Sequence, residues 1–139
     1  MRALLLVAAL AATAHADAKK PLHSVWIGNY VCAQGSTALR LTIETHEKDA
    51  ATARFEFGPN TINKNLPTGA YVMTGTVHAD GLGILDVKLV PDHWTMQPKG
   101  YVMVGLTATS DRKQKKLDGR IDNPACGAVS LVRMVVEAD

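Results

Sequence analysis

The chain has 139 residues, of which 47% are hydrophobic and 20% charged, and its formal net charge is +2 at pH 7. This length suits one domain with a hydrophobic core of its own. A charge so close to zero provides no electrostatic attraction to nucleic acid or to an anionic membrane surface, and we expect neither as a partner.

The N-terminus has the pattern of a secretory leader. Arg2 precedes an apolar run over 3–14, and an Ala-x-Ala cleavage signature follows at Ala14 and Ala16. The run is too short to span a membrane, and a helix buried in the fold is the alternative. We predict a signal peptide over 1–16, export to the periplasm or the extracellular space, and no membrane insertion after the leader has been cleaved.

Residues 17–24 are predicted to form a polar lead-in to the domain. The segment that follows has an apolar alternation typical of a β-strand. On a strand, four of its residues lie two apart and share one face: Trp26, Gly28, Tyr30 and Cys32. We expect Gly28 to leave room for the aromatic rings on either side of it.

The same alternation recurs along the chain, separated by turn sequences and without a convincing helical period. Eight segments are predicted as strands: 25–35, 39–44, 51–57, 70–77, 85–89, 101–109, 117–122 and 128–136. Eight antiparallel strands with short connections indicate a single all-β domain over 25–139. An up-and-down barrel is the predicted architecture, because eight strands suffice to close a small barrel. A β-sandwich is the alternative.

The chain contains two cysteines, Cys32 and Cys126, and both follow the predicted leader. Exported proteins meet oxidising conditions, so we predict that the two form a disulfide. Two buried thiols are the alternative. Cys32 stands near the end of the first predicted strand and Cys126 just before the last. A bond between them would close the seam of a barrel.

The connection between the fifth and sixth predicted strands carries the most distinctive side chains. Pro91 is expected to end the fifth strand, because proline cannot donate to the ladder. Trp94 then stands among polar and turn residues, with Gln97 and Tyr101 close by. Tryptophan and tyrosine supply rigid contact area, and glutamine can donate and accept hydrogen bonds. This segment, 92–101, is predicted to recognise a ligand or partner.

Five residues are therefore predicted to bind a ligand or a partner: Trp94, Gln97, Tyr101, Trp26 and Tyr30. The alternative for Trp94 is that it plugs the end of the barrel, with Gln97 shaping the turn. For Trp26 and Tyr30 the alternative is a place in the core.

A resemblance to a known group rests on three motifs: Trp26-x-Gly28-x-Tyr30-x-Cys32-x-Gln34-Gly35, Trp94-x-x-Gln97-Pro98-x-Gly100-Tyr101 and Pro124-x-Cys126. Together they resemble a small domain of exported or modular bacterial proteins that has no settled activity. More loosely, the early tryptophan on an eight-stranded meander is similar to the calycin group of lipocalins and avidins, which bind small ligands. Lipocalins carry glycine before that tryptophan, whereas this chain has Val25. The resemblance transfers no catalytic residue.

Motifs for metal binding or catalysis are missing from the sequence. The histidines after the leader stand singly, without His-x-His or His-x-x-x-His spacing, so neither a metal nor a cofactor is predicted. The Gly-x-Ser-x-Gly motif of hydrolases is absent, and no glycine-rich loop precedes a helix. The carboxylates of Asp118 and Asp122 would share an outward strand face.

These observations favour a binding protein over an enzyme, and no catalytic residue is predicted. The main hypothesis is an exported module that recognises a small ligand or an extracellular protein through a barrel mouth and the segment 92–101. A second hypothesis is an inhibitor of an extracellular hydrolase, such as a protease or a lysozyme. A third is a hydrolase that uses Asp118 or Asp122 together with a histidine.

Overall fold

The computed structural model describes residues 22–135, which form a closed antiparallel barrel of eight strands. Each strand pairs with the next in the chain, and the first pairs with the last. The strands are β1 (His23–Cys32), β2 (Gly35–Thr45), β3 (Ala50–Gly58), β4 (Gly69–Ala79), β5 (Leu85–Met96), β6 (Gly105–Ser110), β7 (Lys116–Asp122) and β8 (Ala128–Arg133). The predicted all-β, up-and-down barrel is confirmed, and the sandwich alternative does not form. The predicted signal peptide over 1–16 lies outside the described residues.

The alternating strands place one set of side chains inside the barrel and the other set outside. The largest fully buried side chains are aromatic or aliphatic, and they include Trp26, Phe55 and Tyr71. Burying one such side chain is worth roughly 1.5–3 kcal/mol, so the interior is the main source of stability. No helix within residues 22–135 is long and apolar enough to cross a bilayer.

The first predicted strand, 25–35, differs from β1 at both ends. β1 begins at His23, two residues before the prediction, because Ser24 is buried and accepts a hydrogen bond from the indole nitrogen of Trp26 (2.9 Å). It ends at Cys32, where a tight turn leads to Gly35. Gly35 has a φ of 94°, a left-handed conformation that glycine adopts without steric cost.

Gly28 allows β1 and β8 to approach each other closely, whereas the sequence predicts that it makes room for neighbouring rings. A Cβ at this position would collide with the backbone carbonyl oxygen of Ser130 on β8. The two strands therefore approach closely here, and only a glycine allows it. Inward-facing glycines of this kind let a sheet bend enough to close.

β5 continues past the position at which the sequence predicts its end. It pairs with β4 as far as Met96, with register shifts that skip Asp92 and Thr95, so both are bulged positions. β6 pairs with β5 only up to Leu89. Pro91 therefore lies on a bulged stretch with no paired strand on one side, where proline is tolerated. Half of the predicted loop 92–101 is strand, which corrects the sequence prediction.

β6 begins at Gly105, four residues later than predicted, and the chain from 97 to 104 turns in over one end of the barrel. The phenol of Tyr71 donates to the carbonyl oxygen of Val104 (2.8 Å) and accepts from its backbone nitrogen (3.1 Å). These contacts occupy the polar groups that a longer β6 would have used for pairing with β5.

The seam between β1 and β8 joins the two ends of the sheet. Five residue pairs form it, from Trp26 with Arg133 to Tyr30 with Val129. Beyond the last pair, Cys32 and Cys126 are bonded across 94 positions of the chain, which confirms the predicted disulfide. The bond lies at the end of the barrel over which residues 97–104 fold.

Candidate functional site

The end of the barrel that carries the disulfide holds a cavity of about 390 Å³, which we call the mouth cavity. Its walls come from three strands and three connections. The residues that line it are Tyr30, Cys32, Ala33, Gln34, Phe57, Tyr71, Gly100, Tyr101, Val102, Val104, Asn123, Ala125 and Cys126. Small-molecule sites in proteins typically enclose roughly 300–1,000 Å³, so the mouth cavity has the size of a site for a compact ligand.

Aromatic rings form the floor and one wall of the mouth cavity. Phe55 lies beneath it, stacked on Tyr71 with centroids 4.7 Å apart and edge-on to Tyr30 at 5.3 Å. Phe57 stacks on Tyr101 at 5.5 Å with an interplanar angle of 20°. Aromatic pairs at such distances add about 0.5–1.5 kcal/mol each beyond their buried area. The rings thus fix one another in position.

Tyr71 joins the floor of the cavity to its rim. Its ring belongs to the aromatic floor, and its hydroxyl holds both backbone polar groups of Val104. Burial raises the pKa of Tyr71 above the ordinary value, because the charged phenolate loses its hydration. The sequence places Tyr71 in the predicted strand 70–77 but does not indicate this role. The alternation of β4 was the only signal, since it put the side chain inside.

Polar groups gather at the opening of the cavity. Gln34 donates through its side-chain nitrogen to Thr37 (3.1 Å) and weakly to the phenol of Tyr30 (3.5 Å). Burial raises the pKa of Tyr30, and hydrogen bonding of its phenol with neighbouring side chains opposes that shift. Asn123 accepts a hydrogen bond from the backbone nitrogen of Ala125 through its side-chain oxygen (2.9 Å). The opening therefore combines amides and phenols.

The five predicted binding residues lie in four different places. Tyr30 and Tyr101 line the mouth cavity. Trp94 stands behind its wall, half-buried and edge-on to Tyr71 with centroids 5.1 Å apart. Gln97 is exposed and donates to the carbonyl oxygen of Tyr101 (3.3 Å), so it shapes the connection that carries that ring. Trp26 does not line the cavity; it is fully buried in the core beneath the guanidinium of Arg133.

The acidic residues of the hydrolase hypothesis lie on the outer wall. Asp118 accepts a hydrogen bond from Ser130 (2.8 Å). Asp122 accepts one from Thr107 (2.8 Å) and pairs with Arg120 (3.2 Å). Neither lines the mouth cavity, and no histidine of the described chain contacts them. The geometry therefore gives the hydrolase hypothesis no support.

Histidine–carboxylate pairs do occur elsewhere on the surface. His78 contacts Asp49 at 2.8 Å, and His93 contacts Asp92 at 2.6 Å. Both pairs are exposed and lie outside the mouth cavity. Residues 22–135 contain no group of three His, Cys, Asp or Glu side chains that could hold a metal ion.

Two larger hollows, of about 660 and 690 Å³, lie on the outer wall. Both include Arg40, Arg54 and Glu56, which form exposed ion pairs at 3.2–3.9 Å. Exposed pairs of this kind contribute about 0–1 kcal/mol, and the side chains remain free to move. The mouth cavity is the better candidate site, because fixed rings shape it.

The fold and this site define a class: a small β-barrel, closed by a disulfide, with an aromatic cavity at one end. No family model matches the sequence, and a search of curated proteins finds no match. The resemblance to a small exported bacterial domain, and more loosely to calycins, therefore stays a prediction.

Proposed function

We propose that the protein is an exported binding module that holds a small ligand in the mouth cavity. The observation that carries this proposal is the cavity of about 390 Å³, with an aromatic floor and an opening edged by amides. Export is supported by the leader pattern over 1–16, and the bond between Cys32 and Cys126 is compatible with an oxidising compartment.

The cavity is preorganised for binding. The Tyr71 hydroxyl fixes Val104, and Tyr101 stacks on Phe57. The disulfide holds the connection that carries Asn123 against the end of β1. Walls that are already ordered lower the entropy lost when a ligand binds, so more of the contact energy becomes affinity.

Thermal unfolding of the purified protein against a library of small metabolites tests the proposal. A ligand at about 100 times its Kd stabilises the folded state by about 2.7 kcal/mol, a clear rise in Tm. Ligands that raise the Tm of the wild type should raise the Tm of Tyr101→Ala by less, because this variant lacks one wall of the cavity. They should raise the Tm of Leu82→Ala as much as that of the wild type, because Leu82 lies in the exposed hairpin at the opposite end of the barrel.

The proposal fails if every stabilising compound acts equally on the two variants. Binding would then lie outside the mouth cavity. A library in which no compound stabilises the wild type would also count against a small ligand of this size.

A protein partner is the second candidate function, and one loop favours it. Ile62 is 83% exposed on the connection between β3 and β4. The side chain of Asn60 accepts hydrogen bonds from the backbone nitrogens of Ile62 (3.0 Å) and Asn63 (2.8 Å). It also donates to Asn29 and Ser36, both at 2.9 Å. The loop therefore exposes a large apolar side chain on a backbone that hydrogen bonds hold in place.

We propose, as this second candidate, that the loop inserts Ile62 into a cleft of an extracellular hydrolase and inhibits it. A residue held in its bound conformation loses little entropy on binding. The test is an inhibition panel of lysozymes and proteases with the wild type, Ile62→Ser and the control Leu82→Ser. Inhibition by the wild type that only Ile62→Ser loses supports this role. Full activity of every hydrolase in the panel overturns it.

A further inference from the structure

The mouth cavity has no charged side chain among the described residues that line it. Its polar groups are phenols, amides and backbone, all neutral near pH 7. Every buried side-chain nitrogen or oxygen within residues 22–135 already has a hydrogen-bond partner. No buried group of the described chain therefore requires an ion to satisfy it.

We propose that the ligand of the mouth cavity is an uncharged, planar ring compound with one neutral hydrogen-bonding group directed at the opening. This inference rests on the proposed function and names the chemistry of its ligand. Three observations lead to it: the neutral lining, the arrangement of the rings, and the two amides at the opening.

The neutral lining disfavours an ionic ligand on energetic grounds. An ion that leaves water for an apolar site without a counter-charge loses several kcal/mol of solvation. The nearest charged residues in the sequence are Lys99 and Asp122, beside the lining residues Gly100 and Asn123. Lys99 is exposed, and the carboxylate of Asp122 is engaged by Thr107 and Arg120 on the outer wall. Neither is among the residues that line the cavity.

The rings favour a flat ligand. Tyr101 stacks on Phe57, and Tyr71 stacks on Phe55, with interplanar angles of 20° and 14°. Each pair covers one face of its own rings, so a ligand can contact only the faces and edges that remain open. A planar ring can stack with an offset on such faces or meet their edges, and both arrangements complement the quadrupole of the aromatic groups. A branched aliphatic molecule lacks the quadrupole that makes such stacking favourable.

The amides place the polar group of the ligand. Gln34 uses its side-chain nitrogen on Thr37, which leaves its carbonyl oxygen to accept a hydrogen bond. Asn123 uses its side-chain oxygen on Ala125, which leaves its nitrogen to donate. A hydroxyl, a secondary amine or a carbonyl near the opening can therefore bond to one of them. The floor beneath is apolar, since Phe55 is fully buried there.

A matched pair of fluorescent probes tests the inference: N-phenyl-1-naphthylamine and 1-anilinonaphthalene-8-sulfonate. They share one ring system and one amine, and they differ by a single sulfonate. We expect the uncharged probe to bind saturably and the sulfonate at least about ten-fold more weakly. Tyr101→Ala should weaken the uncharged probe at least about five-fold, whereas the control Leu82→Ala at the opposite end of the barrel should leave it unchanged.

The outcomes separate this inference from the function on which it rests. If both probes bind equally and Tyr101→Ala weakens both, the cavity binds ligands but a neutral ligand is not required, and the inference is overturned. Weakening of the sulfonate by Lys99→Gln would then assign the counter-charge to that lysine. If neither probe binds, or if Tyr101→Ala changes the binding of neither, the inference is overturned, and the proposed function is then decided by the thermal-unfolding screen alone.

Discussion

Tyr71 combines a packing contact and a polar contact in one buried side chain. Tyr71→Phe keeps the ring on Phe55 but leaves both backbone groups of Val104 without their partner. We expect the free energy of unfolding to fall by about 1–3 kcal/mol, the cost of leaving buried polar groups unsatisfied. Urea denaturation measures it. Tyr101→Phe at the half-buried rim is the control and should cost less than about 0.5 kcal/mol. Equal losses of stability in both variants would contradict the conclusion that the Tyr71 hydroxyl stabilises the fold by bonding the backbone of Val104.

The same phenol makes stability depend on alkaline pH. Burial raises the pKa of Tyr71 and of Tyr30 above the value of about 10 that tyrosine has in the unfolded chain. As the pH rises above about 10, these two tyrosines lose their protons in the unfolded chain before they do so in the folded protein. The free energy of unfolding is therefore unaffected by them below about pH 10 and decreases as the pH rises further. We expect Tyr71→Phe to lose stability less steeply than the wild type above about pH 10. Denaturation curves at several alkaline pH values test this, and identical slopes would contradict it.

At the scale of the element, β5 shows where sequence reasoning succeeds and where it stops. The alternation of 85–89 predicted the first half of the strand. The second half was hidden because two bulges break the period of two and Pro91 stands between the halves. A proline is acceptable there only because β6 pairs no further than Leu89, and a sequence does not show where a neighbouring strand begins.

The candidate site was predictable to a similar extent. Tyr30 and Tyr101, two of the residues predicted to bind a ligand or a partner, line the mouth cavity. The sequence could not identify Val104 as the partner of Tyr71, because the two are 33 positions apart and meet only across the closed barrel. Trp26 was grouped with the mouth although it belongs to the core, since alternation gives the face of a strand but not the depth of a residue.

The close approach of β1 and β8 makes a prediction about Gly28. Alanine at this position would drive its Cβ into the carbonyl oxygen of Ser130, a backbone atom that can move only with its strand. We expect Gly28→Ala to lower the free energy of unfolding by about 1–3 kcal/mol, the range for overpacked cores. Gly81→Ala is the control, since a Cβ there meets nothing within 4 Å. A loss of Tm no larger than that of the control would show that the seam is loosely packed.

For the molecule as a whole, closure of the barrel and the proposed ligand binding depend on the same end. The mouth holds the cavity, the disulfide and the connections that carry Gln34, Tyr101 and Asn123. The opposite end consists of short connections, beginning with the tight turn Glu47–Asp49 between β2 and β3. A change that opens the seam at the mouth should therefore affect stability and ligand binding together, whereas a change at the opposite end should affect stability alone.

The disulfide is the sharpest test of this coupling. Removing it with Cys32→Ala and Cys126→Ala frees a loop of 94 positions in the unfolded chain, worth about 4–5 kcal/mol on the chain-entropy account. We expect a lower Tm. At temperatures where the double variant stays folded, we also expect weaker binding of N-phenyl-1-naphthylamine, because both cysteines line the cavity. A destabilised variant with unchanged affinity would show that strand pairing alone shapes the mouth. Wild-type stability would show that the five residue pairs of the seam suffice to close the barrel.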